Sequence, residues 1–181
     1  MEHDELGKPA RTKKPRRFGT RKPLVGAGVV VVVLVGAAAA AMFWFRPSPP
    51  IIPNSVAEKV LFPVYAPAYL PAGFHIDPKS FSAQNNAVLI FQATNAAGAN
   101  IAITEEATPA GFDFNSFYTA NLSNIANLAG LPYATVAGVL KSNSRTMLSV
   151  NTGKTWILMT SQARFSQTVL REISQRLSLQ T

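Results

Sequence analysis

One apolar run near the start of the chain is longer than a buried core segment requires. Leu24–Phe45 reads LVGAGVVVVVLVGAAAAAMFWF, 22 residues without a charge or a proline. At about 1.5 Å of rise per residue a helix of that length covers about 33 Å, close to a hydrocarbon core of about 30 Å. A segment in lipid must pair its own backbone groups, so an α-helix is expected there even though valine is a modest helix former in water. Phe43, Trp44 and Phe45 close the run where aromatic rings favour the headgroup layer.

Beyond the run the pattern changes twice. Arg46-Pro47-Ser48-Pro49-Pro50-Ile51-Ile52-Pro53 carries four prolines and predicts an extended spacer over 46–53, with a folded domain over 54–181. Inside that domain short alternating runs predict strands. Phe74–Phe81 reads as a strand interrupted at Asp77-Pro78. Ala87–Ala93 and the Ile101/Ile103 run form a hairpin across the turn Asn95–Gly98, a strand follows near Tyr133–Val139, and Arg145–Val150 pairs with Thr155–Thr160 across Asn151–Lys154. Trp156 and Leu158 share one face of that last strand and are expected to enter the core. Two amphipathic helices complete the set. Asp113 is a candidate N-cap, and Phe114, Phe117, Tyr118, Leu122, Ile125 and Leu128 form one stripe, stopped by Gly130 and Pro132. Ser166 is a second N-cap with Phe165 and Leu170 as a hydrophobic staple, and Val169, Leu170, Ile173 and Leu177 form the apolar face. The expected fold class is α+β: one N-terminal transmembrane helix, then an antiparallel sheet with two packed helices.

Charge gives the chain a direction. The net charge is +8, from 17 Lys and Arg against 9 Asp and Glu. Residues 1–23 hold eight of the basic residues (Lys8, Arg11, Lys13, Lys14, Arg16, Arg17, Arg21, Lys22) and three acids, whereas the far flank of the apolar run carries Arg46 alone. The positive-inside rule then places the N-terminus in the cytoplasm and the C-terminal domain outside, with the bilayer held through Leu24–Phe45. A cleaved signal peptide is the rival reading, because Ala39 and Ala41 precede Met42 in a small-x-small pattern; the length and aromatic end of the run favour an uncleaved anchor. The basic tail is read as a disordered topology signal rather than a nucleic-acid arm. Gly28, Gly36 and Ala40 share one helix face and offer a route to a homodimer, though small residues are common in membrane helices generally.

Composition removes several chemistries. The chain has no cysteine, which excludes disulfides, zinc-thiolate sites, iron–sulfur clusters and thiol nucleophiles. It has two histidines, His3 and His75. Gly153-Lys154-Thr155 ends like a phosphate-binding loop, but position 148 is Leu148 where that loop needs glycine, so a hairpin turn is the better reading. His75 and Asp77 lie two apart with serines elsewhere, yet the nucleophile-elbow motif is missing. Glu105 and Glu106, adjacent on a strand, point to opposite faces and read as a solvated strand end.

The most distinctive stretch is Phe62-Pro63-Val64-Tyr65-Ala66-Pro67-Ala68-Tyr69-Leu70-Pro71-Ala72-Gly73-Phe74. Its second part is Pro67-Ala68-Tyr69-Leu70-Pro71-Ala72-Gly73-Phe74. It resembles the opening motif of a family of bacterial, membrane-tethered extracytoplasmic domains of unknown function, distantly similar to lipoprotein-carrier and anti-sigma-regulator folds. The resemblance runs loosely over residues 60–179, taking in the Trp156 strand and the closing helix, and implies a curved antiparallel sheet packed on helices. It transfers no catalytic residue. The stretch itself reads as a structural proline-rich strap with buried tyrosines.

The expected function is therefore noncatalytic: a single-pass, membrane-anchored envelope protein whose outer domain binds a protein partner or senses the cell surface, with no cofactor and no metal. The alternatives are a carrier-like domain for a lipid or other apolar ligand, implied by the resemblance, and a hydrolase using His75.

Overall fold

Two central strands, Val88–Thr94 and Asn100–Ala107, carry strict burial alternation, and they set the frame. A computed structural model describes residues 50–180, so the expected cytoplasmic tail, the Leu24–Phe45 span and the Gly28, Gly36, Ala40 face lie outside the described residues. Among the described residues no helix is long and apolar enough to cross a membrane. The elements in chain order are α1 (Asn54–Ala57), β1 (Val64–Pro67), β2 (His75–Ile76), β3 (Ser82–Gln84), β4 (Val88–Thr94), β5 (Asn100–Ala107), α2 (Phe114–Asn121), β6 (Leu122–Asn127), β7 (Ala134–Leu140), β8 (Thr146–Asn151), β9 (Thr155–Ser161), α3 (Gln167–Gln175) and β10 (Leu177–Gln180). The eight-stranded sheet runs β2-β4-β5-β9-β8-β7-β6, with β3 also paired to β4, and every pairing in it is antiparallel. A separate two-stranded ribbon joins β1 to β10, also antiparallel. The domain is thus mostly antiparallel sheet with a few helices, as its alternating runs predict.

The registers line up side chains in rows across the strands. Phe91, Ile103, Met159, Leu148 and Ala137 form one row, all of them buried. They point to the first face of the sheet, which is covered by Leu170 and Ile173 of α3 and by the segment carrying Ile52, Val60, Phe62, Val64 and Tyr65. Burying side chains of the size of Phe91, Ile103, Met159 and Leu148 contributes roughly 1.5–3 kcal/mol each against leaving them in water. Ile52 is fully buried, so the folded domain takes in the last residues of the expected spacer and begins before Asn54.

The second face carries a smaller cluster in which Tyr118, Leu122, Val136 and Met147 are buried against Phe114, Phe117, Leu140 and Leu158. Here α2 packs. Asp113 caps it as expected, its Oδ1 accepting from the Ser116 amide at 3.0 Å and its Oδ2 from the Ser116 hydroxyl at 2.7 Å. The helix stops at Asn121, and the residues expected to continue it form β6 instead. The free edge of β7 accounts for this: Leu122, Ser123, Ala126 and Asn127 pair with Leu140, Val139, Ala137 and Val136, with an irregularity at Asn124, whose φ is 52°. Asparagine tolerates that conformation and is a poor helix former, so pairing with β7 outweighs the 3.6-residue stripe. Gly138 makes the pairing close enough, because a Cβ there would sit 3.1 Å from Leu122 Cβ.

Ser166 caps α3, its Oγ accepting from the Val169 amide at 3.3 Å, while Phe165 and Leu170 both join the main cluster. The helix ends at Gln175, so Leu177 belongs to β10 and not to the helical face. The interrupted strand expected over Phe74–Phe81 resolves into β2 and β3 around a turn in which Asp77 Oδ1 accepts from the Lys79 amide at 2.9 Å. The proline-rich strap is β1 and its continuation: Tyr65 is buried, and Tyr69 is half-buried with the Arg176 guanidinium 5.6 Å from its ring centre.

Candidate functional site

Trp156 organises the second face. It is buried in β9, and the rings of Phe112, Phe114 and Phe117 surround it at 5.3, 5.1 and 5.3 Å, the last two edge-on. Edge-to-face packing aligns ring edges with the negative faces of their neighbours and adds about 0.5–1.5 kcal/mol per pair to burial. The indole Nε1 donates to Ser149 Oγ at 2.7 Å, and the same oxygen lies 2.8 Å from the Tyr118 hydroxyl. Ser149 is fully buried, so this chain supplies the polar partners that the two aromatic heads lose to burial. Burial raises the Tyr118 hydroxyl above the ordinary tyrosine range, partly opposed by the bond to Ser149.

Beside this cluster lies an open cleft of about 460 Å³. One wall is α2, through Phe114, Asn115 and Tyr118; the other is the β6–β7 connection and its flanks, from Asn127 to Val136; Asn151 closes the third side. None of its lining residues carries a charge. The connection is held from behind. Arg171 of α3 donates to the Ala129 carbonyl, the Leu128 amide donates to the Thr135 carbonyl at 3.0 Å, and Tyr133 meets Tyr65 of the strap edge-on at 5.9 Å. Asn115 and Asn127 are exposed, and their side chains make no hydrogen bond among the described residues. Asn151 Oδ1 is occupied, accepting from Thr108 Oγ1 at 3.1 Å and from the Gly153 amide at 2.8 Å. A second void, apolar and beneath α3, holds only about 10 Å³, too little for a lipid chain.

The residues weighed for chemistry are scattered. His75 is exposed on the short strand β2 opposite Thr94, and Asp77 is engaged in the turn beyond it. Ser80 Oγ donates to the Asp77 carbonyl at 2.6 Å, so this nearby serine serves the turn and not the imidazole. Lys154 sits in the β8–β9 turn, where Gly153 has a φ of 87°, and Thr155 is fully buried with its hydroxyl donating to the Pro63 carbonyl. This stretch is a hairpin turn that ties the sheet to the strap. Among the described residues no three His, Asp or Glu side chains gather as metal ligands would.

Glu105 overturns its expected place. It keeps the opposite facing from Glu106, but it is no solvated strand end: it is fully buried. It stands in a row between Leu89 and Ile157, both also fully buried. Its Oε2 accepts from the Tyr65 amide at 3.0 Å, while Oε1 has no hydrogen-bond partner among the described residues. Burial pushes the carboxyl up to about 8, against the smaller opposing effect of the Tyr65 amide. At neutral pH it is a neutral acid, which is how a buried carboxyl avoids the larger cost of an unpaired charge. Its surroundings are core side chains, and it does not line the cleft.

No family model, no curated protein and no solved structure matches this chain.

Proposed function

We propose that the chain is a single-pass protein of the bacterial cell membrane, N-terminus inside and uncleaved, whose outer domain binds a protein partner or senses the cell surface, without catalytic turnover. The anchor rests on the 22 apolar residues Leu24–Phe45 and on the charge difference between their flanks. The observation that carries the binding reading is the cleft of about 460 Å³ between α2 and the β6–β7 connection. Its volume falls within the ~300–1,000 Å³ of small-molecule sites, and its lining mixes apolar and polar groups in nearly equal share. The cleft contains neither His75 nor any carboxylate, so the groups that general acid–base chemistry uses are elsewhere.

The test uses full-length chain in intact bacterial cells. Protease added outside should remove the domain and leave a small membrane-held fragment. Ala134 is exposed and lines the cleft, so Ala134→Arg should fill it without unfolding the domain. Crosslinking to envelope material should fall at least five-fold in that variant. Equal crosslinking by both forms would overturn the cleft as the binding site. Hydrolysis of ester, peptide or glycan substrates that His75→Ala abolished would overturn the noncatalytic reading.

A further inference from the structure

We infer that the cleft between α2 and the β6–β7 connection takes an uncharged saccharide, an inference that rests on the binding reading above and names its ligand class. The first ground is charge. The lining from Phe114 to Asn151 contains no Lys, Arg, Asp or Glu, although the domain around it carries both signs. An anionic ligand would find no cation there. The helix end that would otherwise attract one is already closed by the Asp113 carboxylate, bound to the Ser116 amide at 3.0 Å. A cationic ligand would find no carboxylate lining the cleft.

The second ground is the kind of polarity offered. Asn115 and Asn127 present free amides, each with an acceptor oxygen and two donor hydrogens, and Asn151 keeps its amide nitrogen free of hydrogen bonds among the described residues. Groups that both donate and accept match sugar hydroxyls, which also do both. A purely apolar ligand would strand these amides, at about 1–3 kcal/mol for each one buried unpaired. An extended peptide adds to a free strand edge, and within the cleft the Leu128 amide and the Thr135 carbonyl are already paired to each other at 3.0 Å, which leaves the outer edge of β6, the last strand of the sheet, as its competing place.

The third ground is the aromatic wall. Half-buried Phe114 and Tyr133 line the same cleft together with the buried Tyr118, and Phe114 is fixed by the Trp156 cluster and Tyr118 by the Ser149 bond. Rigid rings beside amides give a sugar an apolar face for its C–H groups and polar partners for its hydroxyls. Rings already fixed in place lose little entropy on binding.

The inference is tested by titrating full-length chain, in a detergent without a sugar headgroup, with four probes. These are neutral chitotetraose, neutral maltotetraose, anionic tetragalacturonate and a neutral tetrapeptide, read by calorimetry. At least one neutral saccharide should bind saturably, ten-fold or more tighter than tetragalacturonate. The Asn115→Ala/Asn127→Ala double variant should weaken that binding at least five-fold with an unchanged melting temperature, since neither side chain supports the fold. Binding of neither neutral saccharide, or binding that the double variant leaves intact, or preference for the peptide, overturns the inference. If it fails while Ala134→Arg still lowers envelope crosslinking at least five-fold, the binding reading stands with another ligand; if Ala134→Arg also has no effect, both fall.

Discussion

The amide of Tyr65 donates to Oε2 of Glu105 at 3.0 Å across 40 residues of sequence, joining the proline-rich strap to the centre of the sheet. This bond gives β1 a fixed point on the core, while the second carboxyl oxygen stays unpaired among buried apolar side chains. The protonated acid tolerates that position far better than the carboxylate does.

A pH dependence follows. The folded carboxyl titrates at about 8, above its ordinary 4.5, so between those values the folded chain holds a proton that the unfolded chain has lost. Stability from this group is complete below about pH 4.5, falls as pH rises, and levels off above about 8. At about 1.4 kcal/mol per unit the full loss has a ceiling near 5 kcal/mol. Glu105→Gln should melt within a degree or two of the parent at pH 5 and several degrees higher at pH 8.5. Thermal denaturation at both pH values checks it, and parallel curves for the two proteins would refute a neutral buried acid.

The buried place of Glu105 was legible in principle. The alternation Ile101, Ile103, Glu105 puts it on the core face, and only its charge argues for solvent. The hairpins β4–β5 and β8–β9 and both helix caps could be read because their signals are local: alternation, a turn, an oxygen three residues before an amide. The β1–β10 ribbon pairs Val64 with Gln180, and nothing near either residue announces the other. The cleft is hidden by the 3.6-residue stripe that runs from Phe114 to Leu128. Taking 113–128 as a single helix merges the wall at Phe114–Tyr118 with the wall that begins at Asn127, and no cleft is left between them.

Gly138 should resist even a methyl group. Glycine in a strand interior ordinarily costs stability, so alanine would be expected to help. Here the added Cβ would meet Leu122 Cβ, Leu122 Cδ1 and the Ser123 carbonyl, each at 3.1 Å. Gly138→Ala should therefore destabilise by about 1–3 kcal/mol. Urea titration measures this directly. Adding Leu122→Val, which removes the Cδ1 contact, should not restore the parent midpoint, because the backbone contact stays.

Asp113 should matter mainly through its acceptors. Its carboxylate, held below the ordinary aspartate range chiefly by the Ser116 side chain and amide, caps the helix that forms one wall of the cleft. Asp113→Ala should lower stability measurably, and Asp113→Asn much less, because an amide oxygen still accepts from the Ser116 amide. Hydrogen exchange should then quicken first at the N-terminal turn of α2. An Asn variant as damaging as the Ala variant would show that charge, not the acceptor, does the capping.

The polar chain beneath α2 allows the sharpest comparison. Ser149 Oγ accepts from Trp156 Nε1 at 2.7 Å and shares a proton-bearing contact with the Tyr118 hydroxyl at 2.8 Å. Removing the serine leaves two buried partners without a mate, whereas removing the tyrosine hydroxyl leaves the serine still bound to the indole. Each stranded group costs about 1–3 kcal/mol, and a lost bond between neutral groups about 1 kcal/mol. Ser149→Ala should therefore destabilise by roughly twice as much as Tyr118→Phe. In the double variant the tyrosine group is gone, so its penalty should not be counted twice. The two losses should be less than additive by about 1 kcal/mol in a double-mutant cycle. Full additivity would mean that the Tyr118 hydroxyl finds another partner once Ser149 is lost, with the open cleft admitting water to it.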